Sequence, residues 1–197
     1  MKILTIDIGG SHIKMTLLDG FGKMQKDYLK ENTPSNATPA EVLEVIKSME
    51  LHFPGYNRIS AGFPGYVKNG VILSAPNLGT KSWKDPNFEK LLTATFGKPA
   101  KVLNDADMQG LGIASGEGFE MVVTLGTGFG TALLKDGKLI PHFELSHHPI
   151  SKNKIYDKYI GDMALKKKGK KKWNKRLKKI LLVLKTGLMD IYGDKIL

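Results

Sequence analysis

The chain has 197 residues, of which 41% are hydrophobic and 25% are charged, a balance typical of a globular protein with a sizeable core. It contains no cysteine, which excludes disulfides and thiolate metal sites. No apolar run is long enough to span a bilayer, and the first strand-like run begins at Lys2, so we expect a cytoplasmic protein without a signal peptide.

The pattern of apolar residues predicts a mixed α/β order. In chain order it predicts strands at 2–7, 13–18 and 24–30, a helix from Pro39 to Phe53, a strand at 58–63, a hairpin-like segment up to Leu73, a helix at 87–96, a strand at 100–103, a helix at 105–115, a β-hairpin between 120 and 140, a loop at 142–153, and helices near 155–165 and 171–185. The first three strands form an antiparallel meander, because glycine turns separate them. A strand, a glycine turn and a second strand recur in each half, which suggests half-domains at 1–118 and 119–197.

The positive charge is concentrated at one end of the chain. Residues 1–150 carry 15 Lys and Arg against 15 Asp and Glu, whereas residues 151–197 carry 15 against 4, so the whole net charge of +11 lies in the second stretch. Such a density of lysines could attract nucleic acid, an acidic membrane or an inorganic polyanion. A solvated helix face is the simpler interpretation, since apolar residues recur at helical spacing from Trp173 to Leu184. Base-stacking aromatic residues are scarce there, which argues against nucleic acid.

Two glycine-rich turns, at residues 7–12 and 124–130, each follow an apolar strand-like run. Glycine lets the backbone approach a phosphate closely, so that successive N–H groups converge on an anion. Either turn alone could be an ordinary hairpin turn, but the pair suggests two hairpins that grip a phosphate chain. The candidate phosphate-binding residues are Gly9, Gly10, Ser11, Thr124, Gly126, Thr127 and Gly128.

Phosphoryl transfer needs bound phosphates, a metal ion and a base for the attacking hydroxyl. Two carboxylates are candidates for holding the metal and for acting as the base. Asp7 ends the first strand beside the first glycine turn and could hold Mg²⁺ through water, although such a residue is equally common in turns. Asp105 follows a buried strand and opens a helix, where α/β folds present side chains to a cleft. The alternative is that Asp105 or Asp107 merely caps that helix.

Six segments in one order resemble the ROK family of sugar kinases, and within it the polyphosphate glucokinase branch. They are Asp7-Ile-Gly-Gly-Ser11, Gly62-Phe-Pro-Gly65, Ala75-Pro-Asn-Leu78, Asn104-Asp-Ala-Asp107, Thr124-Leu-Gly-Thr-Gly-Phe-Gly130 and Glu144-Leu-Ser-His147. The resemblance covers nearly all of residues 2–150. It implies an α/β, actin-like ATPase (ribonuclease H-like) fold with two half-domains.

The resemblance also implies a hexose kinase that transfers a phosphoryl group from polyphosphate or ATP to the 6-hydroxyl of glucose, with Mg²⁺. Asp105 would be the base, and the two glycine turns would bind the transferred phosphates. Asn104, Glu144 and His147 would hydrogen-bond the sugar hydroxyls, since these side chains supply both donors and acceptors. Gly65 and Asn77 would lie near the sugar cleft. A homodimer is left open, and no nucleic-acid or membrane partner is expected.

The chain departs from the family pattern at several positions. Ser11 stands where Thr is usual, and Ser146 replaces a glycine. Many members bind structural zinc through a His and several cysteines. Because this chain has no cysteine we expect no zinc, and we interpret His142 and His148 as surface or loop residues.

Relatives of the family continue, after the two helices, into a strand, a triple-glycine turn and a final helix. No such turn occurs here, so we expect a truncated second half-domain that lacks this strand and its covering helix, with impaired stability or activity.

Two other functions fit parts of the same pattern. Some members of the family are sugar-responsive transcriptional repressors, but these carry an N-terminal DNA-binding domain, whereas this sequence enters a strand at once. A truncated pseudo-kinase that binds sugar without turnover is the other alternative.

Overall fold

The computed structural model describes residues 1–35, 37–84, 87–151, 153–189 and 195–196. The chain divides into two compact units, Met1–Met108 and Gln109–Leu197, each built on its own sheet. The half-domain boundary suggested by the sequence lies at residue 118, inside the second unit. Within the described residues, no helix is both long and apolar enough to cross a membrane.

The first unit is an α/β structure on a five-stranded sheet. Its elements are β1 (Lys2–Ile8), β2 (His12–Asp19), β3 (Met24–Asn32), α1 (Pro39–Glu50), β4 (Arg58–Phe63), β5 (Val67–Lys68), β6 (Val71–Ile72), α2 (Thr80–Trp83), α3 (Phe88–Phe96), β7 (Ala100–Asn104) and the start of α4 (Asp105–Ile113). The sheet order is β3-β2-β1-β4-β7, and β5 and β6 form a separate short hairpin. The antiparallel meander predicted from the sequence is confirmed by the β1–β2 and β2–β3 pairs.

Strands β1, β4 and β7 are parallel, so their carboxyl ends lie at one edge of the sheet. The register places Asp7 of β1 beside Gly62 of β4, and Phe63 of β4 beside Asn104 of β7. The residues that follow these three strands include the first glycine turn, Gly65 and Asp105. This edge of the sheet therefore collects most of the site residues predicted for the first unit.

Helix α1 packs its apolar face into the core of the first unit. Thr38 and Glu41 form a reciprocal capping box at its start, with Glu41 N–H donating to Thr38 Oγ1 over 3.3 Å. The helix ends at Glu50, earlier than the predicted end at Phe53. Pro54 disfavours helical backbone at the residue before it, which accounts for the difference. Phe53 is nevertheless fully buried, so its apolar side chain belongs to the core although the residue lies outside the helix.

The second unit holds a four-stranded sheet in the order β10-β9-β8-β13, together with helices. Its elements after α4 are β8 (Phe119–Leu125), β9 (Phe129–Lys135), β10 (Lys138–Leu139), β11 (Pro149–Ser151), β12 (Lys154–Ile155), α5 (Tyr156–Ile160), α6 (Asp162–Lys168), α7 (Lys170–Leu184), a π-helical turn (Lys185–Met189) and β13 (Lys195–Ile196). The second glycine turn joins β8 to β9. Buried residues of β8, β9, α5 and α7 form the core.

Three predictions for this unit are wrong in detail. The segment 142–153 is not all loop, because β11 pairs with β12 across a bulge; three residues are too few to show a strand period. The helix predicted near 155–165 is broken at Gly161, between α5 and α6. The expectation that no strand follows α7 is also incorrect, since β13 pairs in parallel with β8, Lys195 opposite Glu120.

Candidate active site

The first glycine turn is held by hydrogen bonds at both of its ends. Gly9 N–H donates to the His12 carbonyl over 2.9 Å. From the far end of β3, Thr33 Oγ1 donates to the Gly9 carbonyl over 2.6 Å, and Thr33 N–H donates to the Ser11 carbonyl over 3.0 Å. These bonds use the Gly9 amide and carbonyl groups of the turn, so the amides of Gly10 and Ser11 are the ones left for the phosphate that the sequence predicts there.

Gly10 brings a second predicted site residue to this turn. A Cβ atom at Gly10 would lie 3.0 Å from the Asn77 Cβ, a distance tighter than most real contacts. Asn77 is exposed and lies in the turn that follows β6. The structure therefore places Asn77 against the first glycine turn, and the close approach depends on the missing side chain of Gly10.

Asp7 lies opposite Lys14 on the neighbouring strand, and its Oδ2 is 3.3 Å from the lysine Nζ. Both side chains are more than a third exposed. In the part of the chain that the structure describes, no group of three or more His, Cys, Asp or Glu residues could hold a metal ion. A single exposed carboxylate still fits Mg²⁺, which usually keeps several waters and binds one or two carboxylates together with substrate phosphates.

Asn104 is buried and caps the helix that carries Asp105. Its Oδ1 accepts hydrogen bonds from the N–H groups of Ala106, at 2.9 Å, and Asp107, at 3.3 Å. Its Nδ2 donates to the Gly65 carbonyl over 3.0 Å. These bonds occupy both lone pairs of Oδ1 and one of the two amide hydrogens. Asn104, rather than Asp105 or Asp107, is thus the principal cap of α4, and it can offer a sugar at most one N–H.

Gly62 lets the start of α4 sit close to β4, and Gly65 lets the segment after β6 approach the backbone that follows β4. A Cβ at Gly62 would lie 3.3 Å from the Asp105 Cα and 2.7 Å from the end of the Met108 side chain. A Cβ at Gly65 would lie 2.0 Å from the Ser74 carbonyl oxygen, so no side chain fits there. Asp105 is partly exposed, and its Oδ1 accepts the Ala106 N–H over 2.9 Å. The carboxylate is therefore fixed at the carboxyl edge of the sheet.

In the second unit, the second glycine turn packs against the junction of α5 and α6. Gly126 N–H donates to the Gly128 carbonyl over 3.2 Å, and the Asp162 N–H donates to the Gly126 carbonyl over 3.0 Å. A Cβ at Gly161 would lie 2.5 Å from the Thr127 carbonyl oxygen. Thr124, at the end of β8, precedes this turn. Gly161 is a position that sequence reasoning did not single out, because an isolated glycine in a helical pattern gives no sign of such a contact.

Asp157 is a second residue that the sequence did not reveal. Its Oδ1 accepts the Phe129 N–H over 2.7 Å and would lie 2.6 Å from a Cβ at Gly128. Burial raises the pKa of Asp157, and the negative charge of Glu144 acts in the same direction, while the Phe129 amide and His147 oppose the rise. An Asp at the start of a helix is usually interpreted as a cap, so only the fold shows that this carboxylate contacts the second glycine turn.

Asp157 lies close enough to both Glu144 and His147 for their charges to interact with its own. Burial raises the pKa of Glu144, but hydrogen bonds from His142 and Ser146 outweigh that effect and hold the pKa below its usual value. Both the N–H and the hydroxyl of Ser146 donate to Glu144 Oε1. Ser146 therefore supports the glutamate directly at the position where the family has glycine. His142 lies in a loop, as one half of its surface-or-loop interpretation expected, although its side chain is only 5% exposed.

Asp157→Asn is expected to raise the stability of the protein near neutral pH. Because the folded-state pKa lies above the unfolded value, ionisation costs folding free energy as the pH rises through that window, and the cost is absent when the carboxyl is protonated. Asparagine keeps an oxygen for the Phe129 amide. Thermal unfolding should show a larger gain for the variant near pH 7 than near about pH 3; an equal gain at both would show that charge is not the cause.

A cavity of about 440 Å³ lies elsewhere in the second unit. It is lined by Pro149, Ile150, Lys154, Tyr156, Tyr159, Lys179, Ile180 and Val183. None of the site residues predicted from the sequence belongs to this lining, so the cavity does not serve as the predicted sugar or phosphate site.

The folded chain belongs to the class of actin-like ATPase folds. Solved structures of this class match it closely: the ROK family glucokinase from Streptomyces griseus, in complex with glucose and AMPPNP, has a TM-score of 0.74 at 23% identity, covering 96% of this chain and 66% of that one. At that identity the match shows the fold alone.

The chain is a member of the ROK family, whose model matches residues 3–154, and this confirms the resemblance seen in the sequence. The polyphosphate glucokinase of Mycobacterium tuberculosis is 30% identical, over 93% of this chain and 72% of the relative. That of Mycobacterium leprae is also 30% identical, but the chain spans 59% of its length. The structure of the inorganic polyphosphate/ATP-glucomannokinase from Arthrobacter sp. strain KM matches with a TM-score of 0.75 and 34% identity, covering 85% of this chain and 71% of that one.

Proposed function

We propose that the chain acts as a hexose kinase that transfers a phosphoryl group from inorganic polyphosphate or ATP to the 6-hydroxyl of glucose. The observation that carries this proposal is the placement of Asp105 in the first unit. Asn104 holds the start of α4 at the carboxyl edge of the sheet, the same edge from which the first glycine turn emerges. Membership of a family whose relatives include named glucokinases supports the reaction class.

In this reaction the 6-hydroxyl oxygen attacks the terminal phosphorus of the donor while Asp105 takes the hydroxyl proton. The phosphoanhydride bond breaks, and the electron pair leaves with the shortened polyphosphate or with ADP. Backbone amides of Gly10, Ser11 and the second glycine turn would stabilise charge on the phosphate oxygens. Mg²⁺, held through water by Asp7, would neutralise charge on the donor phosphates.

Side chains that can donate and accept hydrogen bonds would orient the sugar. Glu144, kept ionised by its hydrogen bonds, is an acceptor for sugar hydroxyls. His147 can donate or accept, and Asn104 retains one amide hydrogen. Gly65, which lies against the Ser74 backbone, and Asn77, which lies against Gly10, would shape the cleft. Among these residues we assign Asn104 a second role, which is to position Asp105.

The choice of donor and hexose follows the named relatives. The mycobacterial relatives are polyphosphate glucokinases, and the Arthrobacter enzyme is a polyphosphate/ATP-glucomannokinase. We therefore propose glucose as substrate with either donor, and mannose as a second hexose to test.

Calorimetry with glucose, followed by an assay of sugar phosphate formation with each donor, tests the proposal on the purified chain. We expect glucose binding, transfer from at least one donor, and loss of transfer when EDTA removes Mg²⁺. Absence of both binding and transfer would overturn the proposal. Glucose binding without transfer from either donor would favour the alternative, a sugar-binding pseudo-kinase.

A further inference from the structure

Helix α7 has a basic face opposite an apolar one. Ile180 and Leu184 are buried in the core of the second unit, and Trp173 and Leu177 are partly buried on the same side. Lysines at helical spacing occupy the other side and are all exposed; this lysine face consists of Lys171, Lys172, Lys175, Lys178 and Lys179. The structure thus confirms the helix and shows five like charges along one solvent-facing surface.

The helix is fixed to α5, so the lysine face keeps its direction. Trp173 Nε1 donates to the Ile160 carbonyl over 2.6 Å, and an Arg176 N–H donates to the Tyr159 carbonyl over 2.9 Å. The Arg176 guanidinium also lies 4.3 Å from the centre of the Tyr159 ring. These contacts occupy the tryptophan and the one arginine of the helix, and they leave the lysines to solvent.

Among the described residues of the second unit, no salt bridge joins a lysine of this face to an acidic side chain. Helix α7 contains no acidic residue, and in the described part of the chain the ion pair nearest to it along the sequence joins Lys166 to Asp162 within α6, at 2.6 Å. Lysines in the first turn of α7 also oppose the positive end of the helix dipole, which lowers stability. A bound polyanion would relieve both effects.

The lysine face is joined to the second glycine turn by a short piece of chain. Helix α6 begins at Asp162, whose N–H donates to the Gly126 carbonyl of that turn. Its seven residues span about 10 Å and end just before Gly169, the residue between α6 and α7. Because α7 then packs back against α5, the lysines remain in the structural unit that carries the turn.

We propose that the lysine face is a docking track for the distal part of an inorganic polyphosphate chain whose terminal phosphates occupy the second glycine turn. The inference rests on the proposed function and extends it to the preference for a long donor. Polyphosphate is a linear polyanion without bases, and it needs only charge along its path. Nucleic acid would be favoured by aromatic stacking, but the Trp173 side chain lies on the buried side of the helix and is bonded there.

The test compares two triple variants that each remove three positive charges. K171Q/K175Q/K178Q neutralises the lysine face, and K23Q/K90Q/K98Q neutralises three exposed lysines of the first unit. Calorimetry with inorganic polyphosphate alone, in moderate salt, should show a roughly 10- to 100-fold weaker Kd and a shallower salt dependence for the first variant. The second variant should bind nearly as the parent does. Thermal unfolding checks that both variants are folded.

Kinetics supply a second readout that a general loss of fold would not reproduce. The lysine-face variant should raise the KM for polyphosphate and leave the KM for ATP and the kcat with ATP unchanged. Since binding needs no turnover, the track can be tested even if the kinase proposal fails. Equal weakening in both variants, unchanged polyphosphate binding by the lysine-face variant, or tighter binding of the parent to single-stranded RNA of equal charge would each overturn the track.

Discussion

Asp105→Asn is expected to lower the rate of glucose phosphorylation by roughly 100- to 10,000-fold, the usual contribution of a general base. Asparagine has nearly the same size and keeps an oxygen for the Ala106 N–H, so α4 should begin as before. It cannot take a proton from the sugar hydroxyl. The rate is measured with both donors at saturating glucose, and calorimetry should show that glucose still binds.

Asp107→Asn is the matched comparison, because this carboxylate lies in the same first turn of α4 but is buried. We expect it to retain most of the rate. If Asp107→Asn abolished transfer while Asp105→Asn remained active, the base would be assigned to the wrong carboxylate. Full activity in both variants would remove the general base from the mechanism altogether.

Gly161→Ala is expected to destabilise the protein by roughly 1–3 kcal/mol, as overpacking commonly does. The new Cβ would lie 2.5 Å from the Thr127 carbonyl oxygen and 2.6 Å from the Asp157 carbonyl oxygen, and neither is the end of a flexible side chain. The backbone at Gly161, with φ −65° and ψ 174°, suits alanine, so the cost comes from contact alone. The junction of α5 and α6 must then move away from the second glycine turn, which, as the proposed donor site, should also show a raised KM for the donor.

Gly112→Ala provides the control for this substitution. Gly112 lies inside α4, and apart from the backbone of the helix itself no atom lies within 4 Å of the place that an alanine Cβ would take. We expect an unchanged or slightly higher unfolding temperature, since alanine favours a helix over glycine. The Gly161 variant should unfold roughly 2–12 °C lower than the parent. Equal unfolding temperatures for the two variants would show that the close contact at Gly161 does not constrain the fold.

Local patterns in the sequence predict the first three strands well. Burial alternates along β1 and β2, whereas β3 is exposed almost throughout. The turn between β2 and β3 is fixed by Asp19, whose Oδ1 accepts the N–H groups of Phe21 and Lys23. The end of α1 is less well predicted, because Phe53 continues the apolar period while Pro54 stops the helix. Here a single residue with a fixed backbone outweighs the hydrophobic pattern.

The site residues illustrate a different limit. Motifs identify Asn104, Asp105 and the glycine turns, since each motif is local. They do not show that the Asn104 side chain caps α4 and holds Gly65, because the contact with Gly65 joins distant parts of the chain. Asp157 is missed for the same reason: its role depends on the meeting of α5 with the β8–β9 turn. Tertiary contacts of this kind produce no periodic pattern of residues in the sequence.

The bonds from Thr33 to the first glycine turn have a consequence for the donor binding proposed at that turn. They shape that turn in the folded protein before any phosphate arrives, since both their donors, on Thr33, and their acceptors, the Gly9 and Ser11 carbonyl groups, belong to the chain itself. The entropy of ordering the loop is therefore lost during folding rather than in the encounter with the donor. Affinity at this turn should depend on where its amides point, and scarcely on how flexible the free loop is.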